Sequence, residues 1–233
     1  MTAPPGRTEE IHAQKALVLA PHYDDEVLGC GGLLSLLVVG GTEARVLFLS
    51  DGAGGVEAVA DRPAYAVARR QEAEAVAEFL GISAIEHLGL PDGALEGSLP
   101  QLAEAVSKAL AEHGPDLVLV PSPLEATPDH RATFAALHLV LSPQRAGTED
   151  ALRPDLEVLV YEVNHPFYPE VLVDVGSQLG QIRQAMELYP SQQERHDYAA
   201  AAEGLRRYRT LSLGPEVKAA EGYVRLRVED FTT

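Results

Sequence analysis

Short apolar runs recur along the chain, each ending in a cluster of polar or turn-forming residues. Lys15 to Ala20 (KALVLA) is the first; it stops at PHYDDE and leads into GCGGLLSLLVVGG. A run this short and this apolar, bounded by Pro and Gly, reads as a buried strand followed by a loop and a helix. The same grammar continues. Ala44 to Ser50 reads as a strand, DGAGG as a loop, and Pro63 to Leu80 as a helix with proline in its first turn. Further strands are expected at Ala84 to Leu88 and Asp116 to Pro121, with a helix over Leu99 to His113 between them.

Beyond Pro143 the pattern loosens. Leu156 to Val163 and Val171 to Val175 read as strands joined by NHPFYPE, whose two prolines keep it irregular. Helices are expected at Ser177 to Leu188 and Ser191 to Arg209, the second opened by a capping box of Ser191 and Glu194. Strand and helix alternating at this spacing imply βαβ units, so the expected fold class is α/β, Rossmann-like, a mostly parallel sheet with helices on both faces.

The 233 residues fit one domain of this class, read as residues 15–233 behind a flexible N-terminal tail, 1–14. A net charge of −17 argues against nucleic acid and anionic membranes as partners and favours a neutral or cationic small molecule. The single cysteine rules out an intrachain disulfide and a cysteine-based zinc knot. The polar MTAPPGRTEEIHAQ lacks the apolar region of a signal peptide, and no segment approaches a charge-free stretch of about 18 residues. A soluble, cytoplasmic protein is the expectation.

Ligands of open α/β sheets bind beyond the carboxyl ends of the strands. PHYDDE and EATPDHR lie at two such exits. His22 and Asp25, three apart where a loop enters a helix, can face one metal ion, and His130 supplies a third donor. Two imidazoles and a carboxylate suit zinc, and three protein ligands leave a position for water. Asp24, adjacent but not needed as a ligand, is placed for a general base. Asp129 is a candidate to orient a site histidine through a hydrogen bond. The competing explanations are ordinary: acids at a helix start complement the macrodipole, and isolated histidines are common. Finding both clusters at strand exits of one sheet favours the metal.

With these residues in place, the sequence resembles the LmbE/PIG-L family of metal-dependent N-deacetylases. The family's H-P-D-D-E and G-x-G-G signature stands here as PHYDDEVLGCGG, with Tyr23 for the usual proline, and its H-P-D-H-R motif as Thr127-Pro-Asp-His-Arg131. ARRQEAEAVAEFLGI and LGLPDG also look like family segments, so the likeness covers roughly residues 15–195. It implies zinc, or another divalent metal, on His22, Asp25 and His130, with Asp24 as the base. It also implies a substrate contact for Arg69, which otherwise forms only an i,i+3 ion pair with Glu72. Asp92, at another strand exit, is a candidate for a sugar hydroxyl or simply a turn residue.

One departure matters chemically. The family usually carries a histidine where this chain has Thr127; that threonine makes a good helix start with Pro128 and Asp129. His165, in the loop after the fifth strand, is the candidate for the missing acid. The expected function is removal of an acetyl or other acyl group from an N-acylated amino sugar or similar small amide. A non-catalytic metal-binding protein is the alternative that Thr127 raises, and a nucleotide-binding protein the one that GCGG and DGAGG raise. The basic LRRYRTL, Leu205 to Leu211, is read as a helix face paired with surplus acids, or else as a contact with substrate or with a second copy in a homo-oligomer.

Overall fold

The computed structural model describes residues 6–142, 155–193 and 196–231. The apolar runs form the expected core of the sheet: β1 (Lys15–Ala20), β2 (Glu43–Ser50), β3 (Ala84–Leu90), β4 (Leu117–Pro121) and β5 (Glu157–Tyr161). All five pair in parallel, in the order β3-β2-β1-β4-β5. The helices between them are α1 (Asp25–Val39), α2 (Arg62–Leu80), α3 (Leu99–His113) and α4 (Pro128–Leu141).

Alternate residues of each strand face opposite layers. In β1, Ala16, Val18 and Ala20 enter one apolar cluster with residues of α1 and α2, while Leu17 and Leu19 enter a second with residues of α3 and α4. Both faces of the sheet are therefore covered, which is why these strands read as continuous apolar runs. No helix among the described residues is long and apolar enough to cross a membrane.

The C-terminal part departs from the expectation. β6 (Val171–Asp174) is followed by a short 3-10 turn, then α5 (Leu179–Glu187) and α6 (Pro190–Gln193). The single helix expected from Ser191 to Arg209 is divided, and α7 (Tyr198–Tyr208) starts afresh where the Asp197 side chain accepts from Ala200 N–H at 2.9 Å. Glu194 of the proposed capping box lies outside the described residues. Ser191 Oγ instead donates to Glu72 Oε2 at 2.6 Å.

A strand that the apolar pattern did not announce, β7 (Ala220–Arg227), inserts antiparallel between β5 and β6. Part of the stretch read as a tail is tied to this edge: Glu9 N–H donates to Leu172 O at 2.8 Å, and Glu9 pairs with Arg225 at 3.0 Å.

α1 is kinked at Cys30 (φ −143°), within the glycine-rich stretch. The break leaves backbone groups that a continuous helix would pair, and a buried ion pair takes them up. Arg206 of α7 donates to Val27 O and Leu28 O at 2.8 and 3.0 Å; Glu221 of β7 accepts from Gly32 and Leu33 N–H, both at 2.8 Å. Arg206 and Glu221 themselves meet at 2.7 Å. Gly29 and Gly32 make room for the packing: a Cβ on either would fall 2.2 Å from the Tyr161 ring or 2.6 Å from Val175. LRRYR thus pairs with acids, since Arg207 meets Glu203 at 2.7 Å and Arg209 meets Glu162 at 2.6 Å.

Because removing one partner of a buried pair strands the other's charge, Arg206→Met is expected to cost about 3–5 kcal/mol of folding stability. Denaturant unfolding measures it; a loss within the scatter of surface substitutions would mean that the kink holds without the pair.

Candidate metal centre

β1 and β4 are neighbours whose crossovers lead to opposite sides, so their carboxyl ends open the crevice where ligands bind in such sheets. The loop leaving β1 is held by Ser50 N–H donating to Pro21 O at 2.9 Å. Within it Asp24 has φ 120°, the only positive φ outside glycine among the described residues. Such a backbone costs of order 1–3 kcal/mol and persists only where the surroundings fix it. Here they do. Asp24 O accepts from Val27 and Leu28 N–H at 3.0 and 2.9 Å, Asp24 N–H donates to Glu26 Oε2 at 3.1 Å, and Arg69 donates to Tyr23 O.

The result is a convergence on one atom. Asp25 Oδ2 lies 3.2 Å from His22 Nδ1 and 3.2 Å from His130 Nε2. Three donors, two imidazole nitrogens and a carboxylate oxygen, are thereby gathered within one cation's reach. Asp25 and His130 are buried, whereas His22 keeps 18% of its side chain exposed, so the group is open on one side.

Neighbouring carboxylates bear on which ring nitrogen is free. Asp129 Oδ2 lies 3.2 Å from His22 Nε2 and Asp92 Oδ1 3.3 Å from it, which favours a proton on Nε2 and makes Nδ1 the nitrogen that a cation would take. Glu125 Oε2 lies 3.4 Å from His130 Nδ1, within ion-pair reach although the geometry is not that of a hydrogen bond, and His130 Nε2 is the nitrogen that faces Asp25. His22, Asp92 and Asp129 form a second group with metal-like spacing. Its carboxylates are already engaged: Asp129 accepts from Gly93 and Leu95 N–H at 2.8 and 3.1 Å, and Asp92 from Gly54 N–H at 3.0 Å. The His22, Asp25, His130 group is the better fit.

Protonation agrees with that choice. Burial would lower both imidazoles, yet Asp129, Asp25 and Asp92 raise His22 well above its ordinary value, and Asp25 and Glu125 bring His130 to about 9. Burial would raise Asp25, but His130 and His22 outweigh it and hold its carboxyl far below the usual range. Without a cation the two imidazoles keep protons around one carboxylate, and a divalent cation binding there would displace the protons that face Asp25. Asp24 goes the other way: burial pushes it up to about 7, against the pull of Arg69.

Around the group is a cavity of about 250 Å³, lined by His22, Asp24, Asp25 and His130 and also by Arg69, Asp92 and Thr127. Arg69 is not a surface residue: only 2% exposed, its guanidinium lies 3.6 Å from Asp24 Oδ2, 3.7 Å from Glu72 and 3.3 Å from Ser191 Oγ. Tyr23, in place of the usual proline, packs its ring 4.8 Å from Phe48 and bonds His87 Nδ1 at 3.1 Å. Thr127 precedes α4 as expected, with Pro128 in the first turn, but its side chain caps nothing, and Oγ1 is buried with no hydrogen-bond partner among the described residues. His165 is not brought to the cavity: its side chain is exposed, and its neighbour Asn164 lines the wall instead.

Glu125 is the residue that sequence reasoning passed over. It is buried, holds His130, and accepts from Val163 and Asn164 N–H at 2.6 and 3.1 Å, tying the exit of β4 to the loop after β5. An acid five residues ahead of His130 in EATPDHR was the available signal.

Residues 17–141 match the family described as GlcNAc-PI de-N-acetylase, PIG-L. The chain belongs to the PIG-L family. Diacetylchitobiose deacetylase of Thermococcus kodakarensis is 32% identical over 148 residues, 61% of this chain and about half (54%) of that protein's length. 2'-N-acetylparomamine deacetylase of Streptomyces fradiae is 28% identical over 225 residues, 81% of this chain and 77% of that one. Among solved PIG-L-like structures, N,N'-diacetylchitobiose deacetylase from Pyrococcus horikoshii, in complex with its inhibitor MPG, superposes with a TM-score of 0.81 at 23% identity, over 94% of this chain and 86% of that one. That likeness speaks for the fold.

Since partners that orient a ligating histidine typically contribute 10–100-fold to affinity, Glu125→Gln is expected to weaken metal binding by about that factor with the fold intact. Competition against a chelator reads it, and an unchanged affinity would assign Glu125 to the loop alone.

Proposed function

We propose that this protein is a zinc-dependent hydrolase that removes the acetyl group from an N-acetylated amino sugar or a related small amide. The observation that carries the reading is the convergence of His22 Nδ1 and His130 Nε2 on Asp25 Oδ2, 3.2 Å from each, with the separate carboxylate of Asp24 on the wall of the same cavity. Two histidines and an aspartate with an open side form the donor set of a catalytic zinc site, although other divalent metals accept the same donors. Zinc bound there supplies Lewis acidity, which acidifies water and polarises an amide carbonyl. The amino-sugar class is supported by the names of the Thermococcus and Streptomyces relatives, both deacetylases.

The chain's own groups divide the rest of the work. Asp24 takes the proton of the attacking water and returns it to the amine as the C–N bond breaks. One carboxylate serves both transfers because His165 stands outside the cavity. Arg69, 3.6 Å from Asp24 Oδ2, holds that carboxylate in place. Thr127 offers a buried hydroxyl with no other hydrogen-bond partner among the described residues, a donor for the carbonyl oxygen as it becomes negative. Asp92, partly exposed on the cavity wall and already accepting from Gly54 N–H, has lone pairs to spare for a sugar hydroxyl.

Asp24→Asn is expected to retain zinc while acetate release from N-acetylglucosamine falls about 10²–10⁴-fold. Full turnover with zinc still bound would remove Asp24 from the role of base. Thr127→Ala is expected to lower kcat by about 10²–10³, with Thr127→Ser close to the parent; equal rates for all three would show the hydroxyl to be idle. Stoichiometric metal without acetate release from any of a broad panel of N-acetyl sugars would favour the non-catalytic metal-binding reading, which Thr127 in place of histidine motivates.

A further inference from the structure

The catalytic cavity does not end at the metal group. Leu28, Val163, Asn164 and Tyr198 line it on one side, and the same four residues line a second hollow of about 540 Å³ beyond them. The two spaces adjoin at these residues, and their balance of chemistry differs. The first presents carboxylates, imidazoles and a guanidinium. The second is mainly apolar, with Leu28, Val163, Pro166, Ala201, Ala202 and Leu205 in its wall.

The apolar wall is built rather than incidental. Tyr198, Ala201, Ala202 and Leu205 stand at i, i+3, i+4 and i+7 of α7, which places them on one helical stripe facing the hollow. The helix bearing the stripe is anchored from the adjoining position, since Arg206 is locked to Glu221 and to α1. The opposite wall comes from the loop after β5, which Glu125 pins at Val163 and Asn164. Its polar wall, among the described residues, is Asn164, His196, Asp197 and the Tyr198 side chain, and the Asp197 carboxylate is engaged in capping α7.

We infer that this hollow is a binding site for the non-reacting end of the substrate, and that this end is an apolar group, an alkyl or aryl aglycone carried by the amino sugar. The inference rests on the deacetylase reading and deepens it. The polar cavity of about 250 Å³ takes the sugar ring with its acetamide, and the aglycone lies over Leu28 and Tyr198 against the α7 stripe. The driving force is removal of apolar surface from water, roughly a threefold to fourfold gain for each methylene fully buried.

The test compares methyl and hexyl 2-acetamido-2-deoxy-β-glucosides as substrates of the zinc-loaded protein, the hexyl compound kept below its micellar concentration. The hexyl glycoside is expected to exceed the methyl in kcat/KM by at least about tenfold, allowing for incomplete burial. Ala202→Glu and Leu205→Asn, made separately, are each expected to bring the hexyl-to-methyl ratio towards one. Equal kcat/KM for the two glycosides in the parent protein overturns the inference, as does a preference that survives both substitutions. Hydrolysis of neither compound overturns the deacetylase reading instead. Calorimetric binding then decides the hollow by itself: the hexyl glycoside must bind at least about tenfold more tightly than the methyl, and equal affinities reject the site.

Discussion

The buried pair of Arg206 and Glu221 fixes the geometry on which the rest of the molecule depends. α1 must begin immediately after β1 if Asp25 is to reach back to His22, and it must also pass close to Tyr161 and Val175 as it leaves the sheet. The bend at Cys30 opens the hydrogen-bond ladder in the interior, where unpaired backbone groups cost of order 1–3 kcal/mol each. Arg206 and Glu221 take up both sides of the opening with charged groups that also neutralise each other. Two elements from the end of the chain, α7 and β7, thereby set the direction of the first turn of α1.

That constraint passes directly into the site. With α1 aimed by the kink, Asp25 Oδ2 meets both imidazoles, and the strained backbone of Asp24 turns the adjacent carboxylate towards Arg69. The carboxylates behind the rings each perform a second task that rigidifies them. Asp129 holds the backbone at Gly93 and Leu95, and Glu125 holds it at Val163 and Asn164. The carboxylates that face the rings are thus the same ones that hold the surrounding loops.

The parallel strands were legible because a strand covered on both faces has no polar alternation to confuse the pattern, and their exits marked where His22, Asp24, Asp25 and His130 would meet. β7 was not legible. It lies beside β5 with one partly exposed side, carries Arg225 paired to Glu157 and Glu9, and follows no apolar run. The division of the last helix was hidden for a different reason: Ser191 resembles a cap in sequence, but its hydroxyl is taken by Glu72 across the fold. His165 and Asn164 mark the resolution of such reasoning. The loop reaches the cavity as expected, but its register directs Asn164 inward and His165 out, and no local pattern fixes that one-residue choice.

A threonine in place of a histidine changes how the proposed hydrolysis must handle its proton. A hydroxyl can donate a hydrogen bond to a developing oxyanion, but it cannot hold an extra proton near neutral pH as an imidazole can. With Thr127 on the cavity wall and His165 outside, the proposed acceptor for the water proton is Asp24, a carboxylate of the cavity wall outside the group of His22, Asp25 and His130. Its surroundings suit a carboxylate that must both take and release. Burial raises its affinity for the proton, Arg69 prevents that affinity from becoming too great, and the fixed backbone leaves only the side chain to move. The loss of the histidine and the strain at Asp24 are then two sides of one arrangement, in which a single rigidly placed carboxylate carries the proton throughout.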